Sequence, residues 1–229
     1  MIGIISDIHG NYVALRAVLT RLDEMGVSKI ICLGDTCGYY SQINECCDEL
    51  QKRQIFSLMG NHDWYLVTGE SCPRSDSANR CIEYQRAVIS DSNRSWLATL
   101  KSSAKIHNLN IVHGGWDDPL DQYLVPSVEY FSRLDGKFFA SGHTHVPVIW
   151  NTEGKAYCNP GSVGQPRDGD PRASFAILSD ASFSLHRVNY DYESVQAEMK
   201  TAGFEPYFYE NLSTGTRIGG KIDKLEIFL

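Results

Sequence analysis

The chain has no dense cluster of lysine and arginine, and its 21 basic residues are outnumbered by 28 acidic ones, for a net charge of −7. Proteins that grip nucleic acid through its phosphates carry a basic face, so the composition argues against nucleic acid as a partner. No apolar run approaches the roughly 20 residues that a membrane-spanning helix needs, which argues against a membrane partner as well. The opening Met-Ile-Gly-Ile-Ile-Ser-Asp has neither a basic stretch nor a small-residue cleavage site, so no signal peptide is expected. The seven cysteines are odd in number and form no C-x-x-C pair, which excludes a disulfide framework. Reduced thiols in a cytoplasmic protein are expected. Adjacent Cys46 and Cys47 read as two positions on one helix rather than as a soft-metal pair. There is no internal repeat and no low-complexity stretch, so one domain over residues 1–229 is expected.

What is present is a rhythm of short apolar runs and helical periodicities. Residues 2–6 form an apolar run that reads as a buried strand. From 12 to 25 apolar residues recur at helical spacing, after Asn11 as a candidate cap and before Gly26 as a stop. Ile30–Leu33 is a second strand, so the segment reads as a βαβ unit with parallel strands. A helix over 42–53, a strand over 55–59, and strands over 109–112 and 138–141 continue the pattern, with a helix near 126–134. Residues 64–104 break it and read as a helical insertion, with helices near 78–90 and 94–100. Beyond 145, runs at 148–150, 156–158, 174–178 and 183–188 predict short strands in antiparallel meander pairing. A helix near 191–202 and a tail over about 204–229 complete the chain.

Each of the five leading strands ends in a polar cluster: Asp7/His9, Asp35, Asn61/His62, His113 and His143/His145. Open α/β sheets place their sites at the carboxyl ends of strands, so the clusters are expected to converge on one sheet edge. Asp7 and His9, and His143 and His145, lie two apart, which in extended backbone points both side chains the same way. Mixed oxygen and nitrogen donors suit a borderline divalent metal (Mn, Fe, Zn, Ni or Co). Seven ligands exceed one tetrahedral site and suit two metals about 3.5–4 Å apart with a bridging carboxylate.

The runs Asp7-Ile8-His9-Gly10-Asn11, Gly34-Asp35, Gly60-Asn61-His62-Asp63, His113-Gly114 and Gly142-His143-Thr144-His145 resemble, in order, the motifs of the calcineurin-like metallophosphoesterases. The resemblance spans residues 1–188. Asn159-Pro160-Gly161-Ser162-Val163-Gly164-Gln165 is similar to the small bacterial and archaeal members. It implies an α/β fold, a four-layer αββα sandwich of two mixed β-sheets flanked by helices. It implies two divalent metals, Mn or Fe favoured, with Asp7, His9, Asp35 and His145 on the first and Asp35, Asn61, His113 and His143 on the second. His62 would be the general acid, with Asp63 orienting it or raising its pKa by hydrogen bonding, and a hydroxide bridging the metals would attack phosphorus.

The function expected is therefore hydrolysis of a phosphomonoester or phosphodiester, on a phosphorylated small molecule or nucleotide. The metals, not lysine and arginine, would attract the phosphate to an acidic protein. Asn11 and Arg167 are the candidate substrate contacts, and for each a local structural role is the competing reading. Dinucleoside polyphosphate hydrolysis and protein Ser/Thr phosphatase activity are alternatives within the class. Trp64 following Asp63 departs from the Arg that protein phosphatases carry beside the Asn-His pair. A non-catalytic scaffold of the same fold is the alternative outside it. Specificity is expected from the insertion 64–104, the loop 164–172 and the tail 204–220.

Overall fold

The computed structural model describes residues 1–152 and 154–225. Along the chain the elements are β1 (Ile2–Ile5), α1 (Tyr12–Glu24), β2 (Lys29–Cys32), α2 (Ile43–Lys52), β3 (Phe56–Ser57), α3 (Asn61–Thr68), α4 (Asp76–Val88) and α5 (Asp91–Ala98). Then follow β4 (Ser103–Ile106), β5 (Leu109–Val112), α6 (Val128–Ser132), β6 (Phe138–Ala140), β7 (Val148–Thr152), β8 (Lys155–Asn159), β9 (Ala173–Ser179), β10 (Ser182–Val188) and α7 (Tyr192–Thr201).

Strand alternation separates the layers. In β1, Ile4 packs with Ile31, Ile111, Ala140 and Ala176 between the two sheets, while its neighbour Ile5 packs outward with Leu15 and Leu19 of α1. In β6, Ala140 faces the other sheet, and Phe139 faces outward onto Phe131 of α6. Helix, sheet, sheet and helix therefore stack as the expected four-layer sandwich, with the central strands of each sheet buried on both faces. Each fully buried aliphatic side chain contributes roughly 1.5–3 kcal/mol. In α1, Leu15, Val18, Leu19 and Leu22 form the buried stripe, and the helix ends before Gly26, whose φ of +71° suits glycine.

The first sheet has the order β10-β9-β1-β2-β3, and the second β4-β5-β6-β8-β7. β1, β2 and β3 are parallel, as are β5, β6 and β8. The expected C-terminal meander is corrected. β7 and β8 form one hairpin in the second sheet, and β9 and β10 another in the first, where β9 runs antiparallel to β1. A meander needs consecutive strands to pair, but Asn159–Gly164 crosses from one sheet to the other beneath the ligand loops. Glu153, in the expected turn 151–154, and residues 226–229 of the expected tail lie outside the described residues. Among the described residues no helix is long and apolar enough to cross a membrane.

The expected insertion holds most of α3 together with α4 and α5, and closes with β4, which was not foreseen. Its helices form a lateral cluster with Tyr40, Val195, Phe204 and Leu212. This packing lays the tail alongside the insertion, at the mouth of the site described next.

Candidate metal centre and its cavity

The five polar clusters do meet, but at the seam of two sheets rather than on one edge. Asp7, Asp35 and Asn61 follow β1, β2 and β3 of the first sheet, whereas His113, His143 and His145 follow β5 and β6 of the second. The extended backbone expected for the paired ligands is also corrected. Asp7, His9 and Asp35 each have φ of +55°, His143 +65° and His145 +61°. This left-handed conformation costs a non-glycine residue roughly 1–2 kcal/mol, and five of the nine described non-glycine residues that adopt it are candidate ligands. The strain is held by the surroundings, a pattern of functional loops.

Hydrogen bonds hold these loops together. Ile8 and His9 both donate their backbone N–H to Asp35 O, at 2.8 and 3.0 Å, and Gly10 N–H donates to Thr36 O at 2.8 Å. The Asp7 carboxylate accepts the His143 N–H at 3.1 Å, joining the two sheets through a candidate ligand. The Asp35 carboxylate accepts the His62 N–H at 2.9 Å, at the first turn of α3. Gly60 and Gly164 are required here: a Cβ on Gly60 would overlap the Asp35 carboxylate, and one on Gly164 would overlap Ile8 O.

Three imidazoles are fixed in the same sense. His9 Nδ1 bonds Cys37 O at 2.8 Å, His113 Nδ1 bonds Leu33 O at 3.0 Å, and His145 Nδ1 bonds Gln165 O at 2.6 Å. A carbonyl accepts only, so each Nδ1 carries the proton and each Nε2 presents a lone pair, as metal-binding histidines require. Those Nε2 atoms point inward: His9 and His145 Nε2 are 2.9 Å apart, and His113 Nε2 is 3.4 Å from Asp35 Oδ2 and 3.1 Å from Asn61 Oδ1. His143 Nδ1 is 3.0 Å from the same Asn61 oxygen, and its buried Nε2 has no hydrogen-bond partner. Ligand atoms of Asp7, His9 and His145 lie within 4.8 Å of one another, as do those of Asp35, His113 and His143. A third such group joins His9, Asp35 and His62, so Asp35 lies between the other two. The donor set therefore fits a pair of divalent cations sharing Asp35.

Without cations the charges in this pocket conflict. Burial, then the nearby Asp35, push Asp7 up to about 7. Burial also raises Asp35, but His113, His62 and His9 outweigh it and hold Asp35 well below the ordinary carboxylate range. His113 is lowered by burial yet raised further by Asp35, to about 9. Burial drives His9, His143 and His145 well below 6.5, in favour of the neutral form that binds metal. Divalent charge would reverse the penalty on the carboxylates.

Asp63 does not do what was expected of it. Its carboxylate accepts N–H bonds from Gly60, Asp35 and Cys37 at 2.9, 2.9 and 3.0 Å, and the Cys37 thiol at 2.8 Å. Both oxygens are occupied, and His62 Nδ1 is buried without a partner. Asp63 is thus a clamp on the Asp35 loop rather than the orienter of His62. Asn11 is also engaged elsewhere. Its Oδ1 accepts the Ala14 N–H at 3.0 Å as the cap of α1, and its Nδ2 donates to Gly164 O at 3.0 Å. It does not line the cavity, so the substrate contact expected of it gives way to the capping role.

The cavity above the ligands measures about 450 Å³, and Arg167, His62 and Asn61 line it. The Arg167 side chain is buried; its Nε and Nη2 donate to Gln165 Oε1 at 2.9 and 2.6 Å, and its Nη2 to Tyr39 Oη at 3.1 Å. Asp168 and Asp170, the competing partners, pair with Arg187 and Arg172. Tyr39 was not foreseen. Its ring lies 4.8 Å from that of His9 and 5.0 Å from that of His62, wedged between the ligands and Arg167. The only signal was position, four residues beyond Asp35.

Comparison with known proteins places this geometry. The calcineurin-like phosphoesterase superfamily domain matches residues 1–181. An uncharacterised protein of Methanocaldococcus jannaschii is 32% identical over 221 residues, covering 87% of this chain and 91% of that protein. A metallophosphoesterase crystal structure from Sphaerobacter thermophilus is 31% identical with a TM-score of 0.83, covering 93% of this chain and 98% of its own. The structure of a hypothetical protein from Pyrococcus horikoshii shares the fold at a TM-score of 0.83 with 18% identity, covering 94% and 99% of the two chains. With a matching domain over most of its length and the motif residues gathered in one buried centre, the chain belongs to the calcineurin-like phosphoesterase superfamily.

Proposed function

We propose that this protein hydrolyses a phosphomonoester or phosphodiester of a small molecule, using two divalent cations and His62 as the proton donor to the leaving group. The observation that carries the reading is the set of three inward-facing Nε2 atoms beside Asp7 and Asp35, each imidazole fixed by a backbone carbonyl. Asp7, His9, Asp35 and His145 would hold one cation, and Asp35, Asn61, His113 and His143 the other. Such a pair supplies a water nucleophile at neutral pH and neutralises phosphoryl charge.

The protein's own residues do the rest. The Arg167 guanidinium lines the cavity with no carboxylate bonded to it among the described residues; Gln165 and Tyr39 take its Nε and Nη2 N–H groups, which leaves Nη1 to donate to a phosphoryl oxygen. Tyr39 holds that guanidinium in place from beside His62. Burial lowers His62 to about 4, and negative charge beside it would favour the imidazolium that donates a proton.

Assay of the Mn²⁺-loaded protein against mono-, di- and pyrophosphate esters tests this. Turnover of at least one class is expected. Full metal loading with no turnover of any would favour the scaffold alternative.

A further inference from the structure

The cavity over the metal centre carries more positive charge than one phosphoryl group needs. Three arginines line it: Arg74 from the 64–104 stretch, Arg167 from the 166–172 loop and Arg217 from the tail. Among the described residues no carboxylate lines it, although the chain as a whole is at −7. The acidic partners stand behind the arginines. Asp121 holds Arg74, and Asp223 accepts from Arg217 Nε at 2.5 Å. Asp223 also donates its backbone N–H to Arg167 O at 2.7 Å, which ties the tail to the Arg167 loop.

Arg74 has a defined relation to the centre. Its guanidinium carbon sits 5.5 Å from the centroid of the Tyr123 ring, and that ring is 4.3 Å from the His143 ring. One aromatic ring thus separates Arg74 from a candidate metal ligand. Arg74 and Arg217 both line the cavity and are each part-exposed, and each keeps N–H groups beyond those its carboxylate takes. Guanidinium groups bind phosphate bidentately, and Arg167 already serves the reacting group.

We propose that Arg74 and Arg217 form a second anion subsite, across Tyr123 from the metal centre, that takes a further phosphate joined to the reacting one by an anhydride oxygen. The substrate class is then a phosphoanhydride, such as a nucleoside diphosphate or longer polyphosphate. This rests on the phosphoesterase reading of the centre. In hydrolysis the water oxygen bonds the phosphorus at the centre, and the bond from that phosphorus to the bridging oxygen breaks. The bridging oxygen leaves with the electron pair on the phosphate held by Arg74 and Arg217. One water proton goes to that leaving oxygen, by way of His62, and the other to solvent.

The test compares wild type with R74A/R217A and with R74K/R217K, which keeps the charge. In calorimetry on metal-free protein, wild type is expected to bind inorganic tripolyphosphate, one per chain, at least about tenfold more tightly than inorganic phosphate. R74A/R217A should lose about tenfold or more of the tripolyphosphate affinity, and R74K/R217K less. With Mn²⁺, kcat/KM of R74A/R217A should fall at least about tenfold further on ADP than on phenyl phosphate. Tripolyphosphate affinity within twofold of wild type, or equal losses on ADP and phenyl phosphate, would overturn the subsite while leaving the phosphoesterase reading intact. Arginine-dependent tripolyphosphate binding with no mono-, di- or pyrophosphate ester hydrolysed would support the subsite and overturn the hydrolytic reading.

Discussion

The Asp63 carboxylate accepts the backbone N–H of Asp35 at 2.9 Å, so the residue after His62 fixes the residue placed between the two candidate cation positions. The same carboxylate takes the Gly60 and Cys37 amides and the Cys37 thiol. Removing it leaves several buried donors unsatisfied, each costing about 1–3 kcal/mol. Asp63→Ala is therefore expected to destabilise the fold by about 3 kcal/mol or more, read as a shift in urea midpoint. Asp63→Asn keeps the shape but replaces one acceptor with a donor. Its apparent Mn²⁺ affinity should weaken, while kcat at saturating Mn²⁺ changes little. A large fall in kcat at full metal loading would instead make Asp63 a partner of His62.

Asp35 lies within ligand distance of both His9 and His113, at 3.7 and 3.4 Å. Asp35→Asn removes charge from both proposed positions, so metal content after dialysis should fall from about two ions per chain to fewer than one. His145→Gln touches only the group with Asp7 and His9 and should leave about one ion. Elemental analysis separates these outcomes. Equal metal content in wild type and Asp35→Asn would refute the shared-ligand arrangement.

His62 lines the cavity, and its Nδ1 makes no hydrogen bond among the described residues. His62→Ala should retain the metals and lose about 10²–10⁴-fold in kcat on a substrate with a poor leaving group. The loss should shrink for p-nitrophenyl phosphate, whose leaving group needs no proton. A loss of the same size on both substrates would argue against the general-acid role.

Arg172 and Asp170 give a pH signature away from the centre. The Arg172 side-chain hydrogen bond holds Asp170 below its ordinary value of 3.8. A carboxylate with a lowered folded-state pKa stabilises the fold above its unfolded pKa, and that contribution is lost as pH falls through and below 3.8. The pair is largely solvent-exposed, so the effect is small. Asp170→Asn should be slightly less stable than wild type at pH 7, and the gap should close as the pH is lowered through and below 3.8. A gap that is constant in urea titrations across that range would show that the ion pair contributes nothing.

Much of this protein was legible along the chain because its information is local. Strand endings, the cap at Asn11, the stop at Gly26 and the order of the polar clusters are each set by a few neighbouring residues. The donor types in those clusters point to a borderline divalent metal. Arg167 could be singled out as well, since it stands beside the Asn159–Gln165 turn.

Other features depend on residues far apart in sequence. Periodicity cannot tell that the polar clusters divide between two sheets, because each strand reads the same whichever sheet it joins. The left-handed backbone at Asp7, His9, Asp35, His143 and His145 is unfavourable locally and exists because long-range hydrogen bonds such as His143 N–H to Asp7 impose it. Asp63 and Asn11 looked available for chemistry until the backbone donors that occupy them came into place. Arg74 and Arg217 are 143 positions apart and carry no motif. By itself the sequence determined the residue types of the candidate metal centre and the order in which strands deliver them. Only the tertiary structure decided which polar groups remain free to meet a substrate, because burial and hydrogen bonding remove the others.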